Sequence, residues 1–389
     1  MAVNALGFNQ LATVLKTITD QATGTESILA TDTASFVSVA NTALLTGYDN
    51  IINSISQVLS KTIFSVRPYN AKFAGLNTDP VRWGNHIRKL NALDMPFEED
   101  DRMKLVDGQS IDQYIVHKPG VLQTNYYGEN VFQKSLTIFR DQLDVAFSGP
   151  DEFGRFISMI MSNASDQIEQ AKEGTRRATL CNLMGGVLLG NATGGVKHLV
   201  TEYNAYAGTS LTSATVMQPE NWPGFVRWLV GELGNTIDKM GERTQLYQFN
   251  ITDKAIMRHT PKDRLRVYLN SKYVNHMEAS AFSTTFHDDY LKKVDFERVT
   301  YWQSIEETTS LNLDASYITA AGAVTHGEIE EDNVFGVMFD EEAAMVCPVN
   351  EWSARSPFNA RGGYSNIFWH FTQRYLNDFT EKCVVLLLD

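Results

Sequence analysis

The sequence predicts an α+β fold. Three observations carry the prediction. A helix-period run of about thirty residues follows Pro150. Short alternating or continuously apolar segments crowd the C-terminal third, reading as strands. No strand–helix–strand rhythm repeats between them, which argues against a doubly wound α/β sheet.

The elements can be justified in chain order. Leu11, Val14, Leu15 and Ile18 recur at helical spacing, and Gly24 stops the pattern. Ala30 to Gly47 is apolar and hydroxyl-bearing, has no clear period, and reads as extended chain or a connector. Asp49 to Phe64 reads as a second amphipathic helix, with Ile51, Ile52, Ile55, Val58, Leu59 and Ile63 on one side. Arg82 to Arg140 reads as a long hairpin-like excursion. Its tip carries Glu98, Glu99, Asp100, Asp101, Arg102 and Lys104, and on its far side Phe132, Lys134, Leu136 and Ile138 alternate with polar residues.

Pro150-Asp151-Glu152 opens the long helix, with proline at the start and two acids against the positive end of the helix dipole. Its pattern runs to about Leu183, and Gly185-Gly186 is expected to end it. Asn221 to Met240 is a further helix behind Pro219. Thr244 to Phe249 reads as a strand. Thr260-Pro261 reads as the cap of a helix with Leu265, Tyr268 and Leu269 inward. Val299 to Trp302, Val334 to Phe339, Ala343 to Val349, Tyr364 to Phe371 and Lys382 to Leu388 read as strands.

Composition narrows the function. The 389 residues amount to two or three domains at about 150 each. Subtracting 46 acidic from 33 basic residues gives −13, which excludes a basic nucleic-acid binder. At 43% hydrophobic and 20% charged the chain can build a core and is not disordered by composition. The three cysteines, Cys181, Cys347 and Cys383, lack CxxC or Cys/His spacing and read as reduced, buried thiols of a cytoplasmic product. The longest apolar run, Val384 to Leu388, is strand-length, and the N-terminus lacks a signal-peptide pattern.

Catalytic patterns are missing. Gly190 to Gly195 superficially has phosphate-loop spacing, but Val196 stands where a lysine should follow. His287-Asp288-Asp289 reads as a solvated helix cap rather than a metal site. The Glu98 to Asp101 run lacks calcium-loop spacing and reads as a solvated tip or a patch that meets a partner's basic residues. Arg176-Arg177 reads as a pair of charges on a helix surface. No cofactor or metal is expected. A large, well-patterned chain without visible chemistry favours a structural role.

One stretch carries a resemblance. Asn359-Ala360-Arg361-Gly362-Gly363-Tyr364-Ser365-Asn366-Ile367-Phe368-Trp369-His370-Phe371, running into an apolar terminal strand, resembles the closing segment of major capsid proteins of short-tailed phages that infect Gram-positive bacteria. Met257 to Trp302 resembles that family's variable upper domain. The order of elements is also similar to the Hong Kong 97-type capsid fold: arm, charged hairpin, long helix, mixed domain, return strands.

The resemblance implies an N-terminal arm over 1–66 and an extended loop over 82–140. It implies a peripheral domain from 67–81, 141–213 and 332–389, with a spine helix at about 151–183, and an axial domain over 214–331. Glu98, Glu99, Asp100, Asp101, Arg102 and Lys104 would contact a neighbouring subunit. Arg361, Gly362, Gly363 and Tyr364 would form the turn into the closing strands. The implied function is a non-enzymatic shell subunit that forms pentamers and hexamers, encloses double-stranded DNA in a virion, and assembles in the host cytoplasm. A separate scaffolding protein and a portal protein are the implied partners, with no membrane. The absence of a helical segment before the arm implies that the scaffold is separate, and no immunoglobulin-like domain is expected after the last strand. On this reading the −13 sits on the inner wall and repels packaged DNA. Rival readings are an encapsulin-like compartment, a cytoplasmic enzyme with a dispersed site, and a tail protein, which the long helix disfavours.

Overall fold

A computed structural model describes residues 8–47, 49–52, 54–55, 72–78, 86–95, 97–190, 193–251, 256–283 and 296–389, without the side chains of 157–165 and 280–283. The expected contributions of Val58, Leu59 and Ile63, and the His287-Asp288-Asp289 cap, lie outside the described residues.

The chain begins with two helices, α1 (Phe8–Thr23) and α2 (Thr33–Leu45). The α2 segment was expected to be irregular. It is helical because Asp32 and Ser35 form a reciprocal cap: the Ser35 amide donates to Asp32 Oδ1 at 2.7 Å, and the Asp32 amide donates to Ser35 Oγ at 3.0 Å. Then come strands β1 (Ile87–Ala92), β2 (Val121–Tyr126) and β3 (Glu129–Phe139), and helix α3 (Arg140–Ala146). The long helix α4 (Pro150–Leu189) has 40 residues, about 60 Å at 1.5 Å per residue.

Strand β4 (Val196–His198), helix α5 (Leu199–Ala207), helix α6 (Trp222–Gly241), strand β5 (Leu265–Asn270), helix α7 (Ser271–Ser283) and strand β6 (Glu297–Val299) follow. The chain finishes with β7 (Leu311–Ile318), β8 (Val324–Glu331), β9 (Val334–Asp340), β10 (Ala344–Arg355), β11 (Tyr364–Asn377) and β12 (Cys383–Leu387).

The strands form a five-stranded sheet ordered β4-β12-β9-β5-β6, a three-stranded sheet ordered β10-β11-β3, and the hairpins β1-β2 and β7-β8. Helix α4 joins two cores. At its start Phe153 packs with Leu15, Phe36, Ile51 and Ile55 from the N-terminal segment and with Ile138 and Ile367 from the three-stranded sheet. Near its end Leu180, Leu183, Met184 and Val187 cover one face of the five-stranded sheet. Phe225, Leu229 and Leu233 of α6, with Tyr273 of α7, cover the other face. All seven residues of β9 are therefore buried, which explains its unbroken apolar run.

Four further expectations need correction. Gly185-Gly186 does not end α4. A Cβ on Gly185 would stand 2.8 Å from the Ala315 Cβ, so the glycines serve the close approach of β7, and helix geometry continues to Leu189. The segment around Leu265 is strand β5, not a helix. Its Leu265-Tyr268-Leu269 spacing also fits a strand buried on both faces. Thr244 to Phe249 forms no strand. Tyr247 adopts φ 69°, which breaks the extended run after a single bridge between Thr244 and Arg258. Trp302 lies beyond β6, its buried indole donating to the Val334 carbonyl at 2.9 Å.

Candidate subunit-contact surfaces

The excursion is an antiparallel β1-β2 ribbon in register from Ile87↔Tyr126 to Ala92↔Val121, shorter than expected: Phe132 to Ile138, expected on its far side, lie in β3 and pair with β11 instead. The Leu93 amide, donating to the Gly120 carbonyl at 2.9 Å, closes its neck. Beyond the neck, every residue from 97 to 120 is exposed. Glu98 and Glu99 stand in solvent, while the other acids of the tip have partners inside the loop. Arg102 reaches Asp100 with Nε at 2.9 Å, and Lys104 reaches Asp101 at 3.3 Å. The Arg102 guanidinium holds the Asp100 carboxyl below its ordinary range.

The same loop exposes large apolar side chains that the charge pattern obscured. Phe97 is fully exposed, and Met103, Leu105, Val106, Tyr114, Ile115 and Val116 are all above half-exposed. Exposed apolar groups of this size make the loop a candidate contact surface.

The root of the loop is fixed to the body by polar contacts that sequence reading did not find. Lys89 on β1 pairs with Asp378 at 2.8 Å, Glu381 at 2.6 Å and Glu342 at 2.9 Å. Burial works against the Lys89 charge, but Asp378 and Glu381 outweigh it and hold the ammonium above its ordinary range. Burial pushes Glu381 up, and Lys89 and Arg258 offset only part of that. Arg258 donates to Asn91 Oδ1 at 2.8 Å, and Arg243 pairs with Asp94.

At the closing segment, Asn359 Oδ1 accepts from the amides of Arg361 at 3.1 Å and Gly362 at 3.0 Å. Gly363 adopts φ 66°, the left-handed conformation that glycine enters without strain, and its carbonyl accepts from the Arg140 amide at 2.9 Å. Tyr364 then starts β11 with its ring edge-on to Phe139, 5.9 Å between centroids. The Arg361 side chain is exposed. These residues form a turn that sets the register of β11 against β3, Tyr364↔Phe139.

Arg176 and Arg177 are not surface charges. Arg176 donates to Asn77 Oδ1 at 3.0 Å. Arg177 is 8% exposed, pairs with Glu173 at 2.6 Å, and stacks 3.8 Å over the Tyr301 ring. The helix face that looked solvated in sequence is covered by the segments around Asn77 and Tyr301. All three cysteines are buried and free; burial pushes the Cys181 thiol up to about 12. Among the described residues no group of three or more His, Cys, Asp and Glu could hold a metal, and no helix is long and apolar enough to cross a membrane.

Comparison with known proteins adds the family. A family model for Phi29-like phage major capsid proteins matches residues 11–387. No curated protein sequence matches the chain. Solved phage structures share the fold. A chain from the capsid of Staphylococcus phage Andhra is 10% identical with TM-score 0.50, the match covering 84% of this chain and 87% of that one. A chain from native bacteriophage P68, in a structure describing its head fibre and inner core protein gp22, is 10% identical with TM-score 0.53 over the same shares, 84% and 87%. At that identity the likeness speaks for the fold, which is of the Hong Kong 97 type. The family match favours a structural shell subunit over the enzyme and compartment readings. From residue 11 to residue 387, the chain belongs to the Phi29-like phage major capsid protein family.

Proposed function

We propose that this major capsid subunit forms the pentamers and hexamers of an icosahedral shell around double-stranded DNA. A separate scaffolding protein and a portal protein join the assembly, which takes place in the host cytoplasm. The observation that carries the shell is the family match over residues 11–387.

The extended loop supplies contacts between subunits. Its support is the uninterrupted exposure of residues 97 to 120, beyond a neck that is itself pinned to the body. Glu98, Glu99, Asp100, Asp101, Arg102 and Lys104 belong to that contact. Exposed ion pairs contribute only about 0–1 kcal/mol each, so many weak contacts sum over a lattice that can still correct errors. Residues Arg361 to Tyr364 act within the subunit, turning the chain into β11.

The proposed division has the arm at 1–66, the loop at 82–140, a peripheral domain from 67–81, 141–213 and 332–389, and an axial domain at 214–331. The five-stranded sheet takes β5 and β6 from the axial segment and β4, β9 and β12 from the flanking ones. The two proposed domains therefore meet within one sheet rather than across a linker. The acidic balance of −13 suits an inner wall that does not grip phosphate.

The test is expression of the chain with and without a scaffolding protein, followed by sedimentation and negative-stain microscopy. Closed megadalton particles are expected. A chain that stays a monodisperse monomer or dimer in both arms overturns the proposal.

A further inference from the structure

The β7-β8 hairpin is a two-stranded sheet whose inner face packs on α4. Leu311, Ala315 and Ile329 are buried there, and a Cβ on Gly185 of α4 would stand 2.8 Å from the Ala315 Cβ. The register runs from Leu311↔Glu331 to Ile318↔Val324. In an antiparallel pair, residues alternate between exchanging hydrogen bonds with the partner strand and turning their backbone groups away from it. Here the even-numbered residues turn away, because the amides of Asn312 and Ser316 both donate to side chains outside the hairpin.

The two edges are finished differently. On β7, Gln303 Oε1 accepts from the Asn312 amide at 2.8 Å, and Gln303 Nε2 donates to the Asn312 carbonyl. Farther along, Asn182 Oδ1 accepts from the Ser316 amide at 2.8 Å, and Asn182 Nδ2 donates to the Ser316 carbonyl at 3.4 Å. Each side-chain amide pairs with a strand residue as the backbone of a third strand would. The β8 edge has no such closure among the described residues. Val324, His326, Glu328 and Glu330 turn their amides and carbonyls outward, and all four are exposed.

The side chains along that edge select what can pair with it. On the outer face Glu328 stands opposite Asp314, and Glu330 opposite Asn312. None of these three acids is in an ion pair among the described residues. Pairing of two β8 edges would line one seam with acids from both copies, and like charges across strands destabilise. A cationic strand meets the opposite condition. Its residues beside Glu328 and Glu330 would be lysine or arginine. The residues between them would fall on the inner face, beside Gly327 and Ile329, where small or apolar side chains fit.

We infer that the free edge of β8 docks an extended segment of another protein, basic at two alternate positions and uncharged between them, which joins the hairpin as a third strand. Main-chain hydrogen bonds supply the attachment, and the acids supply the selection. The docking needs only the hairpin of a single subunit, so it stands whether or not the shell reading does.

The experiment uses the full chain as an unassembled subunit and a synthetic peptide, acetylated and amidated, of alternating valine and threonine with lysine in place of two successive threonines. In the free chain the amides of Val324, His326, Glu328 and Glu330 are expected to exchange rapidly with deuterium. Saturation with the peptide is expected to slow them at least about tenfold, read by NMR or by fragment mass spectrometry. Glu328→Gln/Glu330→Gln is expected to weaken peptide binding by about twofold to thirtyfold, the combined effect of two cross-strand ion pairs. A pair of N-methylated peptides, one for each set of alternate amides, separates strand pairing from charge attraction, and at least one of them is expected to lose binding. No peptide binding, binding that both N-methylated peptides retain, or slowing confined to amides elsewhere overturns the inference. Exchange at the four amides that is already slow in the chain alone, and slows further as the chain is concentrated, gives the edge to a second copy and overturns it as well.

Discussion

Lys89, on the first strand of the extended loop, places its ammonium 2.8 Å from the carboxylate of Asp378, whose side chain is only 1% exposed. The pair ties the root of an exposed loop to the segment that leads into the last strand. Glu381 and Glu342 complete an acidic cage around the same nitrogen, and Arg258 reaches Glu381 at 3.1 Å. The loop thus leaves the body in one direction although residues 97–120 are all exposed.

Lys89→Met removes the cation and leaves buried carboxylates behind. Breaking a buried pair from one side costs about 3–5 kcal/mol, because the remaining charge stays desolvated. Arg258 still neutralises part of Glu381, so a loss near the lower figure, about 3 kcal/mol, is expected in urea unfolding of the unassembled subunit. A change below about 1 kcal/mol would show that the cage is wetter than its burial implies.

Two glycines on α4 should respond in opposite directions. Alanine gains about 1 kcal/mol over glycine in an open helix position. Gly174 has open space where a Cβ would be, so Gly174→Ala is expected to stabilise by about that amount. At Gly186 the new Cβ would lie 2.4 Å from Phe379 Cε1 and 3.0 Å from the Ser316 carbonyl oxygen. Overpacking of this kind costs about 1–3 kcal/mol, so Gly186→Ala is expected to lower the thermal midpoint despite its better helix propensity. If both variants shifted stability upward, the β7-β8 hairpin would not be packed against this helix.

The contrast explains what the sequence could and could not reveal. Helix α6 and strands β9, β11 and β12 were legible because each carries its own period or an unbroken apolar run. Gly185-Gly186 was misread because a glycine pair signals a helix end locally, whereas its use here depends on a strand more than a hundred residues away. Strand β5 was misread because burial on both faces erases the alternation that identifies a strand. The Asp32–Ser35 cap was a readable signal for α2. In the candidate contact surface, the acids of the loop tip were conspicuous. The apolar residues interleaved with them carry no period, so only their exposure in the fold reveals them. The cage around Lys89 joins residues up to 292 positions apart, and nothing local announces it.

The charged tip should separate folding from assembly. Glu98 to Asp101 lie on a loop whose residues are all exposed, and their ion pairs with Arg102 and Lys104 are local. Reversing the four acids to lysine is expected to leave the urea unfolding midpoint of the unassembled subunit close to that of the unaltered chain. The same variant is expected to impair particle formation, read by sedimentation and electron microscopy. Particles of normal yield and shape would refute a role for these charges between subunits.

A pH-dependent contribution should come from Lys197 and Glu232, which link β4 to α6. Lys197 hydrogen-bonds Glu232 and also lies 3.2 Å from Glu202; the Lys197 and Glu232 side chains are 10% and 18% exposed. Burial disfavours both charges, but each partner outweighs it for the other. The Glu232 carboxyl is held below its ordinary 4.5 and the Lys197 ammonium above its ordinary 10.5. A depressed acid contributes stability that is present above 4.5 and lost as pH falls through its lower folded value. A raised base contributes stability that is present below 10.5 and lost as pH rises through its higher folded value. Glu232→Gln keeps the shape and removes the carboxylate charge. It is expected to cost about 1.5–3 kcal/mol near neutral pH, the range for a hydrogen bond to a charged group. The gap between the two proteins should narrow as pH falls below 4.5, where the native carboxylate protonates as well. A gap that stays constant from neutral pH into that acid range would mean that Glu232 acts through packing, and that its charge contributes nothing to joining β4 and α6.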